Sequence, residues 1–218
     1  MPKSIRLKIA LIGIGLIGCA VIAVFVFDAN PLVKAKPENR SLDQLLVDMG
    51  VEIFSSRTSQ VEVRLQDLNG ADVNISDFRG KIVFLNFWAT WCPTCVVEMP
   101  SMEKLHRKLK DKDFAMVSIS IQDSAAEVKR FFKHNKLTFT ALLDSSGKTV
   151  PGFGIRAIPT TLLLDKTGRI IGRVMGPREW DSRESIAMFK HLVDEPAADS
   201  TEISSLQQQL PSIALGKI

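Results

Sequence analysis

Cys92 and Cys95 lie three positions apart in Trp91-Cys92-Pro93-Thr94-Cys95. A disulfide between them closes too short a loop to staple distant parts of a fold, so its value is chemical. The pair stands where an apolar, strand-like run gives way to helical spacing. If Cys92 occupies the helix N-terminus, its sulfur faces unpaired backbone N–H groups and the positive end of the helix dipole. Both favour thiolate over thiol and supply a nucleophile near neutral pH. Cys95 then falls one turn inside, more buried, placed to attack a mixed disulfide formed at Cys92. Glu98 is three residues further on and can approach the same helix face. A carboxylate there could exchange a proton with Cys95, and partial burial would raise its pKa toward neutrality. The competing reading is an exposed first-turn Glu that only complements the dipole. A structural zinc site would want four ligands, and His106, His134 and His191 show no ligand spacing. They read as solvated helix or loop histidines.

The elements that must hold these residues are legible around them. Ile82-Val83-Phe84-Leu85-Asn86-Phe87 is apolar except for Asn86, as expected of a central strand covered on both faces. A helix follows Cys92, with Met99, Met102, Leu105 and Leu109 near helical spacing and Pro100 as an expected kink. Phe114–Ile121 is strand-like, and Ser124-Ala125-Ala126-Glu127 is a capping box opening a helix with Val128, Phe131 and Phe132. Further strands are expected near Phe139–Leu143, Thr160–Leu164 and Ile170–Val174. Asp165-Lys166-Thr167-Gly168 turns the last two into a hairpin. A final amphipathic helix spans residues 181–193 with Asp181 as its N-cap. Upstream, Val61, Val63 and Leu65 alternate with polar residues, and Asn69-Gly70 signals a hairpin returning through Val73 and Ile75. This order predicts an α/β fold with a mixed sheet.

The whole chain has 218 residues, 45% hydrophobic and 24% charged, which fits one globular unit with extra segments. Three cysteines are too few for a disulfide-dense scaffold. Of the net charge of +4, Lys3, Arg6 and Lys8 supply three, so the folded part carries no nucleic-acid-binding excess. Residues 9–27 are uncharged and long enough to cross a hydrocarbon core of about 30 Å as a helix. The preceding basic residues put the N-terminus, residues 1–8, in the cytoplasm and everything after residue 28 across the membrane. Leu16-Ile17-Gly18-Cys19 also resembles a lipobox, and a cleaved signal is a further alternative; the default reading of Cys19 is a small apolar residue of the anchor. Residues 28–60 read as a linker with one short helix, carrying a capping box at Ser41 and an apolar stripe of Leu42, Leu45, Leu46 and Met49. Residues 61–194 form the catalytic domain and residues 195–218 a flexible tail.

Asn86-Phe87-Trp88-Ala89-Thr90-Trp91-Cys92-Pro93-Thr94-Cys95 resembles the active-site segment of the thioredoxin superfamily. Within it the chain is similar to the membrane-anchored, extracytoplasmic TlpA/ResA-like thiol–disulfide oxidoreductases. Glu98 and Pro100 match the Cys-x-x-Cys-x-x-Glu-x-Pro extension of that branch, and Ile158-Pro159-Thr160 matches the cis-proline loop that faces the dithiol. Leu68-Asn69-Gly70 and Ser76-Asp77-Phe78-Arg79-Gly80-Lys81 resemble its N-terminal hairpin and the link into the central strand. The likeness covers roughly residues 60–194 and implies a thioredoxin-like fold with an N-terminal hairpin extension and a transmembrane helix. From position alone an X–Pro bond is usually trans; the resemblance implies cis at Pro159, with a substrate segment pairing beside it. It also implies a proton-handling role for Glu98, because Asn86 stands where thioredoxin carries a buried Asp. Pro93-Thr94 between the cysteines departs from the branch.

These readings make Cys92, Cys95 and Glu98 the catalytic candidates, with Trp91, Pro93, Thr94, Ile158 and Pro159 contacting substrate. The expected activity is reduction of protein disulfides on the periplasmic side, with no cofactor beyond the dithiol and no metal. The resemblance suggests apocytochrome c as substrate and a membrane thiol transporter of the DsbD/CcdA type as electron donor. Two other functions compete. A copper-handling protein would use the two thiolates for Cu(I) or reduce a cuproprotein's cysteines. A thiol peroxidase would have to rely on Cys95 alone.

Overall fold

The computed structural model describes residues 40–54 and 62–195. In chain order these form α1 (Leu42–Asp48), β1 (Glu52–Ile53), β2 (Arg64–Asp67), β3 (Asp72–Asn74), a 3-10 turn (Ile75–Phe78) and β4 (Ile82–Trp88). They continue with α2 (Pro93–Leu109), β5 (Phe114–Ile121), α3 (Ala125–Asn135), β6 (Thr140–Asp144), β7 (Thr160–Leu164), β8 (Ile170–Met175) and α4 (Arg183–Asp194). All eight strands join one sheet in the order β1-β8-β7-β4-β5-β6-β2-β3. The central β4, β5 and β6 run parallel, each linked to the next through a helix, while β7, β8 and the flanking strands pair antiparallel. This is the thioredoxin-like mixed sheet flanked by helices.

β4 is buried along its whole length because both of its faces are covered. Val83, Leu85 and Phe87 point into one apolar cluster with Val117, Ile119 and Leu162. Ile82, Phe84 and Trp88 point into the other, against Met99, Met102, Trp180 and Phe189. Alternation along the strand therefore sends Asn86 to the second face, the side on which α2 packs. The two hairpins form at the expected turns, with Gly70 at φ +85° and Gly168 at φ +82°, a region that favours glycine. The capping box at Ser124 is present.

Several boundaries differ from the sequence reading. β2 starts at Arg64 with Leu65 as its one apolar residue, buried; half-buried Val63 precedes it, and Val61 lies outside the described residues. β6 is displaced by one residue, to Thr140–Asp144. α4 is capped by Ser182, whose side chain accepts from Ser185 N–H, because the Asp181 carboxylate is instead engaged by Lys104 at 2.8 Å. α2 continues through Pro100 to Leu109.

The largest difference concerns the expected linker. Residues 42–53 belong to the folded body. Leu45, Leu46, Met49 and Val51 enter the same apolar cluster as Trp180 and Phe189, and β1 pairs with β8 at the sheet edge. Gly172 lets the strand approach, since a Cβ there would lie 2.6 Å from Val51 Cγ1. The stripe itself was visible in sequence, but its docking site is more than 120 positions away along the chain. The expected transmembrane helix at 9–27 with Cys19, and the tail beyond residue 195, lie outside the described residues. Among those described, no helix is long and apolar enough to cross a membrane.

Candidate active site

α2 begins where the sequence reading placed it, and the sulfur itself caps it. Cys92 is extended (φ −96°, ψ 104°), Pro93 supplies a preset first helical residue that needs no N–H partner, and Cys95 N–H donates to Cys92 Sγ at 3.3 Å. Cys92 and Cys95 are joined as a disulfide with Cα atoms 5.3 Å apart. Cys95 is fully buried and Cys92 is 6% exposed, so only the first cysteine reaches the surface, and it does so narrowly. The collar around it is open: Trp91 is 58% exposed, and Pro93 and Thr94 are exposed as well. Thr94 Oγ1 lies 3.4 Å from Cys92 Sγ.

The loop before β7 faces this sulfur. The Ile158–Pro159 peptide bond is cis, and Ile158 O lies 3.9 Å from Cys92 Sγ. Gly176 N–H donates to Pro159 O at 2.9 Å and Thr160 Oγ1 to Ala157 O at 2.7 Å, tying the loop to β8 and to itself. Ile158 is half-buried and Pro159 buried, so the loop presents its backbone more than its side chains beside the sulfur.

Glu98 is 2% exposed, which excludes the solvated first-turn role. Its carboxylate accepts three hydrogen bonds: Asn86 Nδ2 to Oε1 at 3.0 Å, Trp180 Nε1 to Oε2 at 2.8 Å and Arg178 N–H to Oε2 at 3.2 Å. Burial pushes its pKa above the ordinary value, and the three donors with the Arg178 charge offset this only in part. A buried acid with a raised pKa, one turn behind Cys95, keeps its proton to higher pH than an exposed carboxylate and can exchange it with a neighbouring thiol. It also floors an open groove of about 390 Å³ between α2 and residues 177–181, lined in part by Val97, Pro100, Lys104 and Arg178.

Three supports were missed in sequence. Asp123, buried at the end of β5, accepts from Thr90 N–H at 2.8 Å and Thr90 Oγ1 at 2.6 Å, fixing the loop that leads into Cys92. A carboxylate directly after a central parallel strand, where α/β sites gather, was the available signal. Trp180 and Arg178 carried none, because only the fold brings them to Glu98. Asn86 also donates to Thr161 Oγ1 at 3.0 Å, bridging β7 and the acid. His106 departs from the solvated reading: it is half-buried, edge-on to Phe139, and burial lowers its pKa. Among the described residues no group of three or more His, Cys, Asp or Glu could hold a metal.

A family model described as Redoxin matches residues 48–188. The "Thiol-disulfide oxidoreductase ResA" of Bacillus thuringiensis subsp. konkukian is 36% identical over 118 residues, covering 54% of this chain and 68% of that protein. A DsbF homologue from Corynebacterium diphtheriae superposes with a TM-score of 0.57 at 28% identity, over 65% of this chain and 92% of the other. StoA from Bacillus subtilis superposes with a TM-score of 0.52 at 27% identity, over 61% and 98%.

Proposed function

This chain belongs to the Redoxin family and is a thioredoxin-superfamily, ResA-like thiol–disulfide oxidoreductase, and from that premise we propose that it reduces disulfides of exported proteins through Cys92 and Cys95. The observation that carries the reading is the seat of the Cys92 sulfur. It caps α2, accepts from Cys95 N–H, and stands 3.9 Å from the carbonyl before a cis proline, with an acid buried one turn behind.

In the reduced protein the Cys92 thiolate attacks one sulfur of a substrate disulfide. The Cys92–substrate bond forms, and the other substrate sulfur leaves as a thiolate and takes up a proton. The Cys95 thiol passes its proton toward Glu98 and attacks Cys92 Sγ, so the Cys92–Cys95 bond forms and the second substrate thiol departs. Two electrons have moved from the dithiol to the substrate. Trp91, Pro93 and Thr94 contact the substrate on one side of the sulfur. Ile158 and Pro159 present the backbone edge on the other.

The remaining assignments extend this reading. Residues 9–27 anchor the chain in a bacterial cytoplasmic membrane with residues 61–194 as the catalytic domain on the exported side. The client is an apocytochrome c. Because that side is oxidising, electrons come from a membrane thiol carrier of the DsbD/CcdA type. The reaction uses the dithiol alone, with no further cofactor. Redox titration of the Cys92–Cys95 pair against thiol buffers tests the direction. A potential far below the roughly −120 mV of a strong oxidant is expected. A value near it would make the protein an oxidase and overturn the reductase reading.

A further inference from the structure

We infer that Arg178 is a positioning residue for Glu98, and that the segment α1–β1 holds it in place as part of the redox machinery. This rests on the reading of Glu98 as the proton-transfer group. Arg178 lies in the β8–α4 loop and meets Glu98 through its backbone, the N–H donating to Oε2 at 3.2 Å. Its guanidinium turns the other way, toward the N-terminal segment. Nε donates to Met49 O at 3.4 Å, and a Cβ at Gly50 would lie 3.2 Å from one terminal nitrogen. The second terminal nitrogen donates to Pro177 O at 2.9 Å.

Every one of these partners is a neutral carbonyl, and among the described residues Arg178 has no ion pair. The other cation of the groove, Lys104, is neutralised by Asp181 at 2.8 Å. The guanidinium is thus an anchor for the loop, and what it delivers to Glu98 is the Arg178 backbone N–H, which favours the carboxylate more than the distant charge does. The groups that meet the Glu98 carboxylate from the surrounding elements are neutral Asn86 of β4 and Trp180 and Arg178 of the β8–α4 loop, while Cys95 precedes it by one turn of α2. Lys104, Glu179 and Asp181 line the outer groove.

The grip on Arg178 comes from a segment that is firmly seated. Leu45 is fully buried, Val51 packs over Gly172, and Arg173 of β8 pairs with Glu52 at 2.7 Å. Met49 and Gly50 are the turn between α1 and β1, and Gly50 has φ +66°. A side chain at that position would disturb the turn and press on the guanidinium. The stretch between the expected anchor and the catalytic domain thus does more than span distance. It seats the residue whose backbone N–H holds the Glu98 carboxylate.

The test is the titration of the Glu98 carboxyl carbon by NMR in the full chain, alongside the pH profile of disulfide exchange. Arg178→Met removes the charge and keeps the backbone N–H; the Glu98 titration and the exchange profile should both shift to higher pH. Arg178→Lys should restore most of the original titration, and Gly50→Ala should shift it upward with the charge retained. Unchanged Glu98 titration in a folded Arg178→Met protein would overturn the inference. If Glu98→Gln leaves the exchange profile untouched, the underlying role of Glu98 fails instead, whatever Arg178 does to its titration.

Discussion

A carboxylate that accepts three hydrogen bonds is ordinarily more acidic than usual, and Glu98 is less acidic because its burial outweighs them. The consequence for stability has a definite sign. With its folded pKa raised above about 4.5, the folded state holds the proton where the unfolded chain has released it. Stability should therefore fall as pH rises from the ordinary carboxylate range through the raised value. Urea unfolding at a series of pH values should show that decline in the parent protein and a shallower one in Glu98→Gln. The same variant should flatten the pH profile of exchange, read as reduction of a disulfide substrate. The cysteines were legible in sequence because their spacing and the strand-to-helix junction suffice. Glu98 was half legible: its helix face follows from position, but its burial under Trp180 does not.

At the scale of elements, the site depends on how loops are clipped to the sheet. Asp123 holds Thr90 by both its backbone and its hydroxyl, so Asp123→Ala leaves a part-buried N–H without its partner. The expected cost is about 1–3 kcal/mol, measurable by chemical denaturation, with slower exchange from a looser Cys92 loop. The β1 edge makes a sharper case. Gly172→Ala places a methyl into Val51 and against the Glu52 carbonyl. Overpacking of this kind costs roughly 1–3 kcal/mol, and Val51→Ala in the same chain should recover part of it in a double-mutant cycle. The central strands, both hairpins and the helix after Cys92 were readable because their periodicity, turn residues and caps are local. α1–β1 was read as linker because an amphipathic stripe does not say what it packs on. Asp181 was read as the cap of α4 because a rival partner, Lys104, comes from another helix.

For the whole molecule, the fold brings to one end of the sheet a sulfur at a helix N-terminus, a carbonyl beside a cis proline and a buried acid. None of these is reactive alone; together they divide the labour between an outer attacking sulfur and an inner resolving one. The difference in exposure between Cys92 and Cys95 is small in area, yet it orders the two steps. The most direct measurement of that order is covalent trapping with a disulfide-bonded peptide, read by intact mass. Reduced Cys95→Ala protein should accumulate a one-to-one mixed disulfide through Cys92, while Cys92→Ala protein should form none. A stable complex through Cys95 in the Cys92→Ala protein, with none in the Cys95→Ala protein, would contradict the account.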